Sequence, residues 1–180
     1  MSHRDKRYKL GGLIELDEAF FGTRSIKKRK AKTEQTAFIA IGTNEKGRPT
    51  FSRMKIRQKF PYDEAQELAK TFFEDNAAIK TDGNVTYRYS LKKVGFSHTQ
   101  EVLDTPEKAE SFLPWVHILI SNAKRFLQGT HHRESPKHLQ RFLDEFTYRF
   151  NRRWWTGQLF DRLLTACTAA PSITFAELSE

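Results

Sequence analysis

A single cysteine, Cys167, is all the thiol chemistry in this 180-residue sequence, which excludes an internal disulfide and a cysteine-built zinc ribbon. That lone thiol reads as a core residue. No stretch approaches the ~20 apolar residues of a membrane span, and the opening MSHRDKRYKL lacks the apolar run of a secretory signal. A cytoplasmic protein with no membrane partner is expected. Acids are scarce: 22 Asp and Glu stand against 31 Lys and Arg, a net charge of +9, so a polyanion such as nucleic acid is a more natural partner than solubility alone requires. Hydrophobic residues make up 38% and the mean hydropathy is −0.68, the balance of a globular domain with a charged surface. Internal repeats and low-complexity linkers are missing too. One domain is expected over residues 10–170, with 171–180 as a tail.

What is present alternates between strand and helix patterns. Residues 13–21 (LIELDEAFF) and 36–43 (TAFIAIGT) read as strands, and the basic loop between them carries Arg24, Lys27, Lys28, Arg29, Lys30 and Lys32 before any acid. The turn signal Asn44-Glu45-Lys46-Gly47 leads into a third, antiparallel strand through Phe51, Met54 and Ile56. A helix opens at Pro61-Tyr62-Asp63-Glu64, with Ala65, Leu68, Ala69, Phe72 and Phe73 on its apolar stripe. Short strands follow at 77–83 and 97–103, giving the order βββαβαβ. Apolar residues from Phe112 to Leu127 keep a 3.6-residue period up to Gly129. Ser135-Pro136 then reads as an N-cap and first-turn proline for a helix through Leu139, Phe142, Leu143, Phe146 and Phe150, and a last helix covers Gln158 to Thr168. The fold class is therefore α/β, a mixed sheet flanked by helices with a helical C-terminal extension.

Asp17 falls in the middle of the first strand and Asp82 at the end of the fourth. If those strands are neighbours, two carboxylates meet, and a hard cation between them relieves their repulsion. Each aspartate taken alone reads more readily as a turn former or salt-bridge partner. Glu15 shares the face of Asp17 by strand alternation, whereas Glu18 points the other way, and a salt bridge is the simpler role for either. Residues 121–160 hold eight Lys or Arg against three acids. Lys124, Arg125, Arg152 and Arg153 are expected to meet DNA phosphates together with Lys27, Lys28, Arg29 and Lys30, while Trp154 and Trp155 are expected in the core.

The segments IELDEAFFG, TDGNVTY, NAKRFLQGTHH and KHLQRFLDEFTYRFNRR, spread over roughly residues 10 to 153, resemble the catalytic domain of the ISXO-like insertion-sequence transposases, part of the DDE superfamily. The resemblance implies an RNase H-like fold and a transposase that cleaves DNA and transfers strands at insertion-sequence ends. It implies two Mg²⁺ or Mn²⁺ ions and, as partners, element ends, target DNA and other copies of the chain in a homodimer or larger synaptic assembly. The family's first two acids fall on Asp17 and Asp82. Its third is usually Glu, yet the helix from Phe112 to Leu127 contains no acid. In the family a basic residue follows the third ligand by seven; Lys124 then points back to His117, with 34 residues between Asp82 and His117, as in an Asp-Asp-His subgroup. Asn122 is the alternative used by other subgroups. Helix geometry favours His117, since residues seven apart lie only about 20° off one face. The family's end-recognition modules do not fit before the first strand, so a truncated copy is expected. Two rival readings stay open, a DNA-binding remnant without activity and a nuclease acting on RNA–DNA hybrids.

Overall fold

The computed structural model describes residues 8–22, 35–57, 62–102, 105, 108, 111–130, 137–170, 172 and 174. Strand β1 (Leu13–Phe21) pairs antiparallel with β2 (Gln35–Thr43), and β2 pairs antiparallel with β3 (Pro49–Ile56). Asn44 makes the β2–β3 turn: its Oδ1 accepts from the backbone N–H groups of Lys46 at 3.0 Å and Arg48 at 2.9 Å, and Gly47 takes the required positive φ of 68°. After helix α1 (Tyr62–Phe72) the chain returns as β4 (Ala78–Asp82), parallel to β1, and after α2 (Val85–Val94) as β5 (Ser97–Glu101), parallel to β4. The strand order is 3-2-1-4-5. This is the βββαβαβ order expected from the sequence, an α/β fold with a mixed five-stranded sheet.

Strand β2 lies in the middle of one half of the sheet and is buried from Ala37 to Thr43 because helices cover both of its faces. On one face Ile14, Leu16, Phe38, Ala40 and Ile79 pack beneath α1 and α2, against Ala69, Phe72, Tyr87 and Leu91. On the other, Ala19, Phe21, Ala37, Ile39 and Met54 meet α3 (Pro114–Thr130) and α4 (Leu139–Asn151) through Val116, Leu119, Ala123, Leu127 and Leu143. Helix α2 starts sharply because Asn84 Oδ1 accepts from Thr86 N–H at 3.0 Å, and stops at Gly95, whose φ of 89° only glycine adopts without strain.

Some expectations shift. Strand β5 ends at Glu101 rather than residue 103, and α3 runs through Gly129 to Thr130 instead of stopping before it. The expected cap Ser135-Pro136 lies outside the described residues; α4 is regular from Leu139, with His138 at its N-cap making no side-chain capping bond. Helix α5 (Leu159–Thr168) follows a 3₁₀ turn at Thr156–Gln158, and none of its residues is buried. Cys167, expected in the core, is exposed on it. Trp154, also expected in the core, is 65% exposed, because it follows the last buried turn of α4. Among the described residues no helix is long and apolar enough to cross a membrane.

Candidate active site

The parallel register of β1 and β4 pairs Leu13 with Ala78 and runs to Leu16 with Thr81. One step further stand Asp17 and Asp82, side by side on adjacent strands. Both face α3: Asp17 alternates with Leu16 of the opposite cluster and shares its side with Ala19, while Asp82 alternates with Ile79 and Thr81. Asp17 Oδ1 accepts from Glu18 N–H at 2.7 Å, and Asp82 Oδ1 from Asn84 N–H at 3.3 Å.

Burial pushes the Asp17 carboxyl up to about 6; the Glu18 N–H opposes the rise, the charge of Asp82 adds to it, and His117 opposes it. Asp82 is raised as well, by burial first, with the Asn84 N–H pulling down and Glu18 pushing up. Two carboxyls that resist ionisation side by side, in a site made of oxygen donors, suit a divalent cation, which makes both anions favourable.

His117 comes from the first turn of α3, with Nδ1 3.9 Å from Asp17 Oδ2, too long for a hydrogen bond. Its Nε2 is buried and has no hydrogen-bond partner. Among the described residues, however, no three His, Cys, Asp or Glu side chains are grouped closely enough to hold a metal ion. The aspartates and the imidazole fit a cation in donor type, and the ring would have to turn to join it. Asn122 is exposed; five residues from His117 puts it about 140° around the helix.

Glu15 has a role that alternation and charge did not disclose. Only 4% exposed, its Oε2 accepts from Val116 N–H at 2.8 Å, so a strand side chain satisfies a donor that the first turn of α3 leaves open. Burial raises its carboxyl, while the N–H groups of Val116 and Trp115 and the charge of Lys80, its partner across β4, pull it back. The bond ties the backbone next to His117 to the strand that carries Asp17. A signal existed: an acid on the buried face of a strand needs a partner. Glu18 points to the other face, where it accepts from the Arg57 guanidinium and the Tyr87 hydroxyl.

The basic residues divide. Lys124 and Arg125 are exposed on α3, with Lys124 Nζ 6.0 Å from the Phe21 ring centre. Arg152 and Arg153, expected to face DNA, are turned inward instead. Arg152 is 6% exposed, donates to Tyr148 O at 3.2 Å and lies 3.6 Å over the Tyr148 ring. Arg153 donates to the carbonyls of Pro49 at 2.6 Å, Thr50 at 3.0 Å and Phe150 at 2.8 Å. Both guanidiniums help close the fold where α4 ends. Lys27, Lys28, Arg29 and Lys30 lie outside the described residues.

The profile of the ISXO2-like transposase domain family matches residues 9–151, a span that includes Asp17, Asp82, His117 and all of α4. A solved cryo-EM structure, the simian T-cell lymphotropic virus intasome in complex with PP2A regulatory subunit B56 gamma, is similar over 75% of this chain with 12% identity and a TM-score of 0.47. The matched part spans 48% of that chain. No curated protein matches the sequence.

Proposed function

This chain belongs to the ISXO2-like transposase domain family, and on that premise we propose that it is a transposase catalytic domain that cleaves DNA at insertion-sequence ends and joins the freed strands to target DNA. The observation that carries the reading is the placement of Asp17 and Asp82 one register step past Leu16 and Thr81, both facing the helix that holds His117.

Asp17, Asp82 and His117 would hold Mg²⁺ or Mn²⁺, two ions in all, which polarise the scissile phosphate and make a water or 3′-hydroxyl a competent nucleophile at neutral pH. The residues do the rest. Burial disfavours the anions of Asp17 and Asp82, and a cation between them would offset that cost. Glu15 anchors the start of α3 and so fixes where His117 stands. An imidazole in place of a third carboxylate favours Mn²⁺ over Mg²⁺, because nitrogen ligands suit the softer ion. Lys124 and Arg125 on the same helix offer their charges to the phosphate backbone. The partners are DNA ends, target DNA and further copies of the chain. A second reading, a remnant that binds DNA without cutting it, is favoured by one observation: no third ligand is grouped with the aspartates among the described residues.

Nicking of supercoiled plasmid with Mn²⁺ or Mg²⁺, alongside DNA binding by fluorescence anisotropy, tests both readings. Asp17→Asn, Asp82→Asn and His117→Ala are each expected to lower nicking by at least about 100-fold and leave binding near wild type. No nicking by the wild type with either ion, with binding intact, would favour the remnant. Full nicking by His117→Ala together with loss in Asn122→Ala would move the third position to Asn122.

A further inference from the structure

On the face of the sheet away from Asp17 and Asp82, helix α2 and strand β5 bound a pocket of about 570 Å³ lined by Arg88, Lys92, Phe96, His98 and Gln100. Arg88 and Lys92 are four residues apart on α2 and so project from one side of the helix, both exposed. His98 and Gln100 are two apart on β5 and project from one side of the sheet. The register sets which side: His98 lies beside Ile79 and Gln100 beside Thr81, and Ile79 packs beneath α1 and α2. Phe96, 7% exposed, closes the floor. No lining residue is acidic, and α2 carries Arg88, Lys92 and Lys93 with no acid along its length.

His98 Nε2 lies 2.8 Å from Thr81 Oγ1, which is also 2.8 Å from Asp82 O. The ring is thereby held in a set orientation against the cations of α2. Two exposed cations, Arg88 and Lys92, beside a pocket without an acid in its lining match the phosphate of a phosphodiester.

We propose that the α2–β5 pocket binds a phosphodiester of a nucleic-acid strand, a contact separate from the carboxylate pair. The proposal rests on the reading of this chain as a DNA-acting domain. It also gives a physical link between the two places, because Thr81, which is hydrogen-bonded to His98, directly precedes Asp82. A strand seated at β5 would be held in register with the carboxylates on the far side of the sheet.

The test uses the full chain in EDTA, which removes metal-dependent contacts, with fluorescence anisotropy on single-stranded and duplex oligonucleotides across a salt series. The Arg88→Gln/Lys92→Gln variant is expected to bind at least about ten-fold more weakly. Its slope of log affinity against log salt should fall by about 1.5 to 2, the loss of two phosphate contacts. Circular dichroism checks that the variant is folded, and amide NMR shifts at Phe96, His98 and Gln100 on adding the oligonucleotide provide a readout that needs no variant. Unchanged affinity and slope in a folded variant, with no shifts at these residues, overturns the pocket while leaving the DNA reading standing. Shifts with inorganic phosphate but none with the oligonucleotide overturn the strand as ligand. Binding of neither overturns the pocket, and absence of any oligonucleotide binding by the wild type overturns the DNA reading with it.

Discussion

Asp17 shows how a single residue can be placed for chemistry at the expense of the fold. Its carboxyl rises from 3.8 to about 6 through burial and the neighbouring charge of Asp82, so the folded protein holds that proton more tightly than the unfolded chain. A group raised in this way contributes stability that is present below about pH 4 and is lost as pH climbs through about 6. The span corresponds to roughly 3 kcal/mol as an upper figure, and Asp82, also raised, acts in the same direction. The metal-free protein is therefore expected to unfold more readily at pH 7 than at pH 5. Asp17→Asn, which cannot ionise, should flatten that dependence and stabilise the protein at pH 7 by about 1–3 kcal/mol. Urea unfolding in EDTA at the two pH values measures it; an equally steep pH dependence in the variant would contradict the assignment. Glu15 makes the complementary case. It too is raised by burial, yet its bond to the first turn of α3 offsets part of that cost and leaves the carboxylate with a structural role.

At the scale of elements, the longest part of the family signature serves architecture. Gln140 Oε1 accepts from Ile56 N–H at 2.8 Å while its Nε2 donates to Met54 O at 3.2 Å. Asn151 accepts from Ser52 N–H at 2.8 Å and returns a donor to Ser52 O at 3.1 Å. Arg153 continues to Thr50 O and Pro49 O. Gln140 and Asn151 are eleven residues apart, three helical turns, so they share one face of α4 and reach down the outer edge of β3 like an added strand. An edge strand otherwise offers open backbone groups for aggregation. Asn151→Ala removes both partners of a buried Ser52 and should cost about 1–3 kcal/mol, with faster aggregation on heating; an Asn151→Ala protein as stable and soluble as wild type would show that the clip contributes little. Helix α5 presents the opposite situation, since Leu159, Phe160, Leu163 and Leu164 are all exposed.

At the scale of the whole molecule, the excess of positive charge is spread over several surfaces. Lys124 and Arg125 lie exposed on α3 and Arg88 and Lys92 on α2 beyond the other sheet face, while Lys27, Lys28, Arg29 and Lys30 fall in the sequence between β1 and β2. Reversing Lys27, Lys28, Arg29 and Lys30 to Glu is expected to weaken DNA binding by about ten-fold or more at low salt and to reduce its salt dependence. Mn²⁺ affinity, measured by isothermal titration calorimetry, should stay unchanged, because the loop shares no residue with the carboxylate pair. Equal loss of both would point to a damaged fold instead of lost phosphate contacts.

The order βββαβαβ was legible from the sequence because alternation and 3.6-residue periodicity are local, and so was the neighbourhood of Asp17 and Asp82, since their strands occupy the sheet centre in that order. The turn at Asn44 and the apolar stripe of α3 were legible for the same reason. Only tertiary structure decided which cations are used inside. Arg152 and Arg153 look the same as Lys124 and Arg125 in a charge count, yet the end of α4 turns the first pair onto carbonyls and rings and leaves the second pair in solvent. Tertiary structure alone also made Glu15 a helix anchor, left Cys167 and Trp154 outside the core, and brought α2 and β5 together around a basic pocket. Each of these depends on partners that are distant along the chain, such as Glu15 and Val116, 101 positions apart. Residue type and period specify which face a side chain takes; what waits opposite that face is fixed only when the elements pack.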